Sequence, residues 1–185
     1  MQELNNSDYP SCLPKIQNSI YLYFEVNENT LQSPLELILK LINFEILKDI
    51  NNRILLIRFL KGGYKDYSEN IALSNLRKKY PLSIEIINST TERILTHSNL
   101  QLEDYNDAEI CWRVAKNFLR SGQFSLIILD ELSSALNLNL INFQEVIETL
   151  EQFKTENSQT KVAITGFNPP TEIMEIVNFQ SNPLS

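Results

Sequence analysis

Four short runs in this chain are apolar almost without a break: Ile20-Tyr21-Leu22-Tyr23-Phe24-Glu25-Val26, Ile54-Leu55-Leu56-Ile57-Arg58-Phe59-Leu60, Phe124-Ser125-Leu126-Ile127-Ile128-Leu129 and Lys161-Val162-Ala163-Ile164-Thr165. A strand with one solvated face alternates apolar and polar side chains. A continuous run marks a strand covered on both faces, as in a parallel sheet. Between the runs the period changes to that of helices. Ser33 reads as an N-cap with Pro34 at the first helical position, opening a helix to about Lys48. Its apolar positions Leu35, Ile38, Leu39, Leu41, Ile42 and Ile46 cover a broad face that packs under a sheet.

Further along, Ser68 to Lys79 predicts a helix, Ser83 to Ile87 a strand, and 88–103 a polar loop. Asn106 or Asp107 is the expected cap of a helix carrying Ile110, Cys111, Val114, Ala115, Phe118 and Leu119, ending at Ser121-Gly122. Asn142 opens another, with Phe143, Val146, Ile147, Leu150 and Phe153 on one face, and Thr171 caps a short one through Ile173, Ile176 and Val177. Alternating strands and helices predict an α/β fold: a mostly parallel open sheet of about five strands, with helices on both faces. The 185 residues suffice for one compact domain. Its expected limits are 20–178, with a polar arm at 1–19 containing Pro10 and Pro14 and a short tail at 179–185.

Composition then removes whole classes of function. Lys+Arg 16 against Asp+Glu 23 leaves a net charge of −7, which argues against a general nucleic-acid binder. There are 4 glycines, Gly62, Gly63, Gly122 and Gly166, and no Gly-Lys-Ser/Thr, so an ordinary phosphate-cradling loop is not expected. Cys12 and Cys111 are the only thiols and His97 the only imidazole, which excludes a Cys/His zinc constellation. Cys111 with His97 could be written as a nucleophilic pair. Cys111, however, falls on a helix's apolar stripe and reads as core, while His97 lies in the polar run Thr96-His97-Ser98-Asn99. Two cysteines and a start without signal-peptide character fit a cytoplasmic protein, and no apolar run reaches the length of a membrane span.

Open α/β sheets bind ligands beyond the carboxyl ends of their strands. Four segments fall there: Val26 to Ser33, Phe59 to Gly63, Asp130-Glu131 and Thr165-Gly166-Phe167-Asn168. Asp130 and Glu131 after an apolar strand either hold a hydrated Mg²⁺ or simply begin the next loop. Lys61-Gly62-Gly63 either offers backbone donors and one cation to an anion or is a flexible turn.

Taken in order, these segments resemble the P-loop corrinoid adenosyltransferases, which move an adenosyl group from ATP to the cobalt of a corrinoid. Phe59-Leu60-Lys61-Gly62 is similar to the family's "QFLKG". Trp112-Arg113-Val114-Ala115, Leu126-Ile127-Ile128-Leu129-Asp130-Glu131-Leu132, Ala135-Leu136, Glu145-Val146-Ile147, Val162-Ala163-Ile164-Thr165-Gly166 and the segment Asn168 to Ile176 follow in the family's order. The resemblance spans about residues 20–178 and implies a P-loop NTPase-like, RecA-like three-layer sandwich, a homodimer, and a site for Mg²⁺, ATP and a corrinoid. Carried over residue by residue, it implies nucleotide contacts at Ser33, Lys61, Gly62, Asp130, Glu131, Gly166 and Asn168, with Asp130 and Glu131 toward the metal.

The departures concentrate in the phosphate-binding parts. Where the family has "GNGKGKTTAA", this chain has Asn27-Glu28-Asn29-Thr30-Leu31-Gln32-Ser33-Pro34, without glycine or lysine and with an added carboxylate. Arg58 stands where the family has glutamine, and Phe167 replaces the arginine of "ITGR". The expectation is a relic nucleotide site in a non-catalytic binding or regulatory protein, whose partner is another protein or a small molecule. The alternatives are a working adenosyltransferase and a corrinoid- or nucleotide-binding module without turnover.

Overall fold

The structure, a computed structural model, describes residues 19–25, 34–60, 67–90, 93–156 and 159–181. Strands β1 (Ile20–Glu25), β2 (Ile54–Arg58), β3 (Ile84–Asn88), β4 (Leu126–Asp130), β5 (Lys161–Phe167) and β6 (Phe179–Ser181) form one sheet in the order β3-β2-β4-β5-β1-β6. Every neighbouring pair is parallel. Helices α1 (Pro34–Lys48), α2 (Tyr67–Lys79), α3 (Leu102–Ser121), α4 (Leu132–Asn137), α5 (Phe143–Thr155) and α6 (Thr171–Ile176) fill the connections. This is the expected α/β fold, a P-loop NTPase-like three-layer sandwich.

The continuous apolar runs serve two cores, one on each face of the sheet. Ile20, Leu22, Leu55, Ile57, Ile127, Leu129, Val162 and Ile164 pack with residues of α3, α4, α5 and α6. Their alternates Tyr21, Tyr23, Ile54, Leu56, Leu126, Ile128 and Ala163 pack with α1 and α2. Crossover hand explains the division. The connections β1→β2→β3 run toward one edge of the sheet and those from β3 through β6 run back, so a uniform right-handed crossover puts them on opposite faces. Loops from neighbouring strands therefore leave to opposite faces between β1 and β5, and again between β2 and β4. Open α/β sheets form their ligand crevices at such points.

Burial also titrates the core. On the α1 side Tyr23 is buried, which pushes its phenol up to about 12, with Tyr21 adding to the effect. The unfolded chain releases this proton near its ordinary value of 10.0, so the folded state loses stability as pH rises from there toward 12. Chemical denaturation across that range is expected to show the loss, and Tyr23→Phe to reduce it. An unchanged slope in Tyr23→Phe would refute the assignment.

Several boundaries differ from the sequence reading. Helix α3 begins at Leu102, with Gln101 at the cap position, rather than at Asn106 or Asp107. The Gln101 N–H donates to Asp104 Oδ2 at 2.7 Å, and Arg93 pairs with the same carboxylate. Asp107 instead accepts from the Thr90 N–H and hydroxyl. Pro170, not Thr171, is the cap residue of α6, and its carbonyl accepts from the Ile173 N–H at 3.1 Å. Asn142 caps α5 as expected, accepting from the Glu145 N–H at 3.0 Å. Helix α4 and strand β6 were not foreseen, and β6 takes three residues of the expected tail into the sheet beside β1. The expected cap Ser33 lies outside the described residues.

Candidate functional site at the carboxyl ends of β2, β4 and β5

Arg58 and Asp130 end adjacent strands and are partners in register, which puts them side by side at the β2/β4 crossover point. Both are fully withdrawn from solvent, the side chains 1% and 0% exposed. Arg58 Nε donates to Asp130 Oδ2 at 3.3 Å. The rest of the guanidinium reaches the first turn of α2, Nη1 donating to Asn70 Oδ1 at 2.8 Å and Nη2 to Glu69 Oε2 at 2.5 Å. A charge in a sheet interior survives only when paired and hydrogen-bonded, and the guanidinium fork suits several acceptors at once.

The other oxygen of Asp130 faces β5. Thr165 donates its hydroxyl to Asp130 Oδ1 at 2.8 Å and accepts the Glu131 N–H at 3.0 Å. Glu131 sits in the left-handed region at φ 64, an uncommon place for a side chain with a Cβ. Its Oε2 accepts from Ser134 Oγ at 2.5 Å, and Ser134 Oγ in turn accepts the Phe167 N–H at 3.0 Å. One chain of hydrogen bonds thus crosses from α2 through β2 and β4 to the end of β5.

Gly166 contacts this chain from below. At φ +139 an added Cβ would lie 2.9 Å from both Ser133 Cβ and Ser134 N. The missing side chain lets β5 and the start of α4 approach closely. Asn168 is exposed, also left-handed at φ 47, and its carbonyl accepts from Asn137 Nδ2 at 2.7 Å. Of the residues expected to form a nucleotide site, Asp130, Glu131, Gly166 and Asn168 come together at one end of the sheet. Ser33, Lys61 and Gly62 lie outside the described residues.

The chemistry of this donor set does not match a resident Mg²⁺. Such an ion needs carboxylate oxygens open to it and to its waters. Asp130 instead has one oxygen on a guanidinium and the other on a hydroxyl, with no exposure. Among the described residues no group of three or more His, Cys, Asp or Glu could hold a metal ion.

Arg58, Thr165, Glu69, Asn70 and Ser134 are contacts of the site that the sequence pattern does not single out. One signal was available: Arg58 is a lone charge in an apolar run, so it needs a buried counter-charge. Cys111, by contrast, is core as expected, and burial pushes its thiol up to about 11 while His97 is exposed. In a Cys12→Ser variant, a thiol reagent at mildly alkaline pH is expected to label Cys111 only after denaturation. Rapid labelling of the native protein would refute this.

Comparisons with known proteins agree with the geometry. A family model described as ATP:corrinoid adenosyltransferase BtuR/CobO/CobP matches residues 48–182, from the end of α1 through β6. The uncharacterized protein all2391 of Nostoc sp. (strain PCC 7120) is 30% identical over 168 residues, which is 90% of this chain and 44% of that protein. A corrinoid adenosyltransferase of Sinorhizobium sp. is 32% identical over 71 residues, 38% of this chain and 32% of that one. The chain spans less than half the length of these curated relatives. No helix among the described residues is long and apolar enough to cross a membrane. With the parallel sheet, the acidic end of β4 and a family match over most of its length, the chain belongs to the ATP:corrinoid adenosyltransferase family.

Proposed function

We propose that this chain is a non-catalytic member of that family, a domain that has kept the α/β scaffold and given up adenosyl transfer for a binding or regulatory role. The observation that carries the reading is the state of Asp130. Its charge is already met inside the fold by Arg58, and Thr165 occupies its second oxygen. Sequence supports the same reading, since 27–34 offers no glycine for close backbone approach and no lysine for a β- or γ-phosphate, and it adds Glu28. A cytoplasmic homodimer that binds a protein partner or a small molecule belongs to this proposal.

Thermal melting with and without millimolar Mg-ATP tests it. No shift is expected. A ligand at a hundred times its dissociation constant stabilises by about 2.7 kcal/mol, so genuine binding would raise the melting temperature by about 5 °C or more. Such a rise, together with adenosylated product from ATP and a reduced corrinoid, would overturn the reading.

A further inference from the structure

We propose that the amino-terminal end of the sheet carries a docking tip for an anionic lipid surface: Leu47, Ile50 and Leu82 enter the headgroup layer while Arg77, Lys78 and Lys79 meet its phosphates. The tip lies at the opposite end of the sheet from Asp130, so the inference goes beyond the proposed function and does not depend on it. Two short connections place it. Helix α1 ends at Lys48 and the chain turns through 49–53 into β2, while α2 ends at Lys79 and turns through 80–83 into β3. The two strands pair in register from Ile54 and Ile84, which sets the turns side by side. The Ser83 hydroxyl ties them together by donating to the Ile50 carbonyl at 3.0 Å, and the Ile54 N–H donates to the Ser83 carbonyl at 2.7 Å. At this corner Leu47 is 76% exposed, Ile50 59% and Leu82 90%. A single exposed leucine is ordinary, but three on adjoining turns make a patch.

Charge selects the occupant. The chain carries −7 overall, yet the last turn of α2 is basic at three successive exposed positions, Arg77, Lys78 and Lys79. The carboxylates nearby are engaged elsewhere: Glu85 with Arg53, Glu45 with Lys161 and Lys48, and Asp49 with the Asn51 N–H. A basic last turn also suits the dipole of α2, but that leaves the exposed apolar side chains unexplained. A second copy docked here about a two-fold axis would set the same cations against each other. The apolar patch, roughly 400 Å², also falls short of the about 800 Å² per partner that a stable protein interface buries. A lipid surface asks for no matching contour. Apolar tips enter its headgroup layer, and each nearby Lys or Arg is drawn to anionic lipid. No helix among the described residues is long and apolar enough to cross a bilayer, so the contact is peripheral and reversible.

Co-sedimentation of the full chain with vesicles tests this, using pure phosphatidylcholine and phosphatidylcholine with about one-third phosphatidylglycerol. Wild type is expected to sediment with the anionic vesicles only, and to be released at about 0.5 M salt, where headgroup charge is screened. Lys78→Glu/Lys79→Glu is expected to weaken binding by about tenfold or more, and Leu82→Asp by about tenfold. Ile110→Asp alters an exposed apolar residue of α3, which packs on the opposite face of the sheet from α1 and α2, and is expected to bind as wild type. All these side chains are exposed, so circular dichroism is expected to stay unchanged in every variant. Wild type that remains in the supernatant with anionic vesicles would overturn the proposal, as would equal binding to neutral vesicles or an equal loss in Ile110→Asp. A dimer that Leu82→Asp dissociates in the absence of lipid would overturn it too, by assigning the patch to a second copy. An Mg-ATP response by wild type would sink the non-catalytic reading and leave this result untouched.

Discussion

Arg58→Met is expected to lower the melting temperature by roughly 6–12 °C. Breaking a buried ion pair by removing one partner costs about 3 kcal/mol or more, because the remaining charge stays in the fold without compensation. In a chain of this length each kcal/mol is worth about 2–4 °C. Here the remaining charge is Asp130, fully buried beside β2, with the Thr165 hydroxyl still donating to its Oδ1. The methionine is apolar and of similar reach, so lost packing is a small part of the effect. Removing both charges in Arg58→Met/Asp130→Asn is expected to recover more than half of the loss, since neutral replacements of a buried pair are often tolerated. The cycle of single and double variants then gives the coupling directly. A single-variant loss under about 2 °C would mean the pair is solvated in practice.

Gly166→Ala is expected to cost about as much, for a different reason. The residue holds φ at +139, where a Cβ is strained, and the Cβ would meet Ser133 Cβ and the Ser134 backbone nitrogen at 2.9 Å. Backbone atoms at the start of a helix do not swing aside, so β5 and α4 must separate. Strain and overpacking each contribute about 1–3 kcal/mol, and together they predict a melting loss on the order of 10 °C. Separation would also break the hydrogen bond from the Phe167 N–H to Ser134 Oγ, which faster hydrogen exchange at Phe167 would report. An alanine variant that melts with the wild type would show that this approach is looser than the geometry requires.

The four central strands were legible because each is an apolar run long enough to exclude any half-solvated placement. Strand β6 was not, since Phe179–Ser181 has three residues and depends for its place on pairing with β1. The first turn of α3 reads as loop because it is polar. What makes it helix is buried Asp104, held by Arg93 eleven positions earlier, a partner that local periodicity does not reveal. The candidate site was legible on the side of β4 and β5, through Asp130, Glu131, Gly166 and Asn168. In the sequence Arg58 stands out only as a departure from a motif. Its pairing depends on the register of β2 against β4, which a single sequence does not display. Ser33, Lys61 and Gly62 lie outside the described residues, so any part they have in a site rests on the sequence alone.

Arg58 is attached to β2 by its own backbone, and that sets how the domain responds to its surroundings. A counter-ion borrowed from solution has an occupancy that follows its concentration, so a site of that kind reports the state of the medium. A tethered group has a fixed effective concentration, set by the length of its side chain and the position of the strand that bears it. The positive charge at the junction of α2 with β4 is then supplied by the chain itself rather than by a dissolved ion.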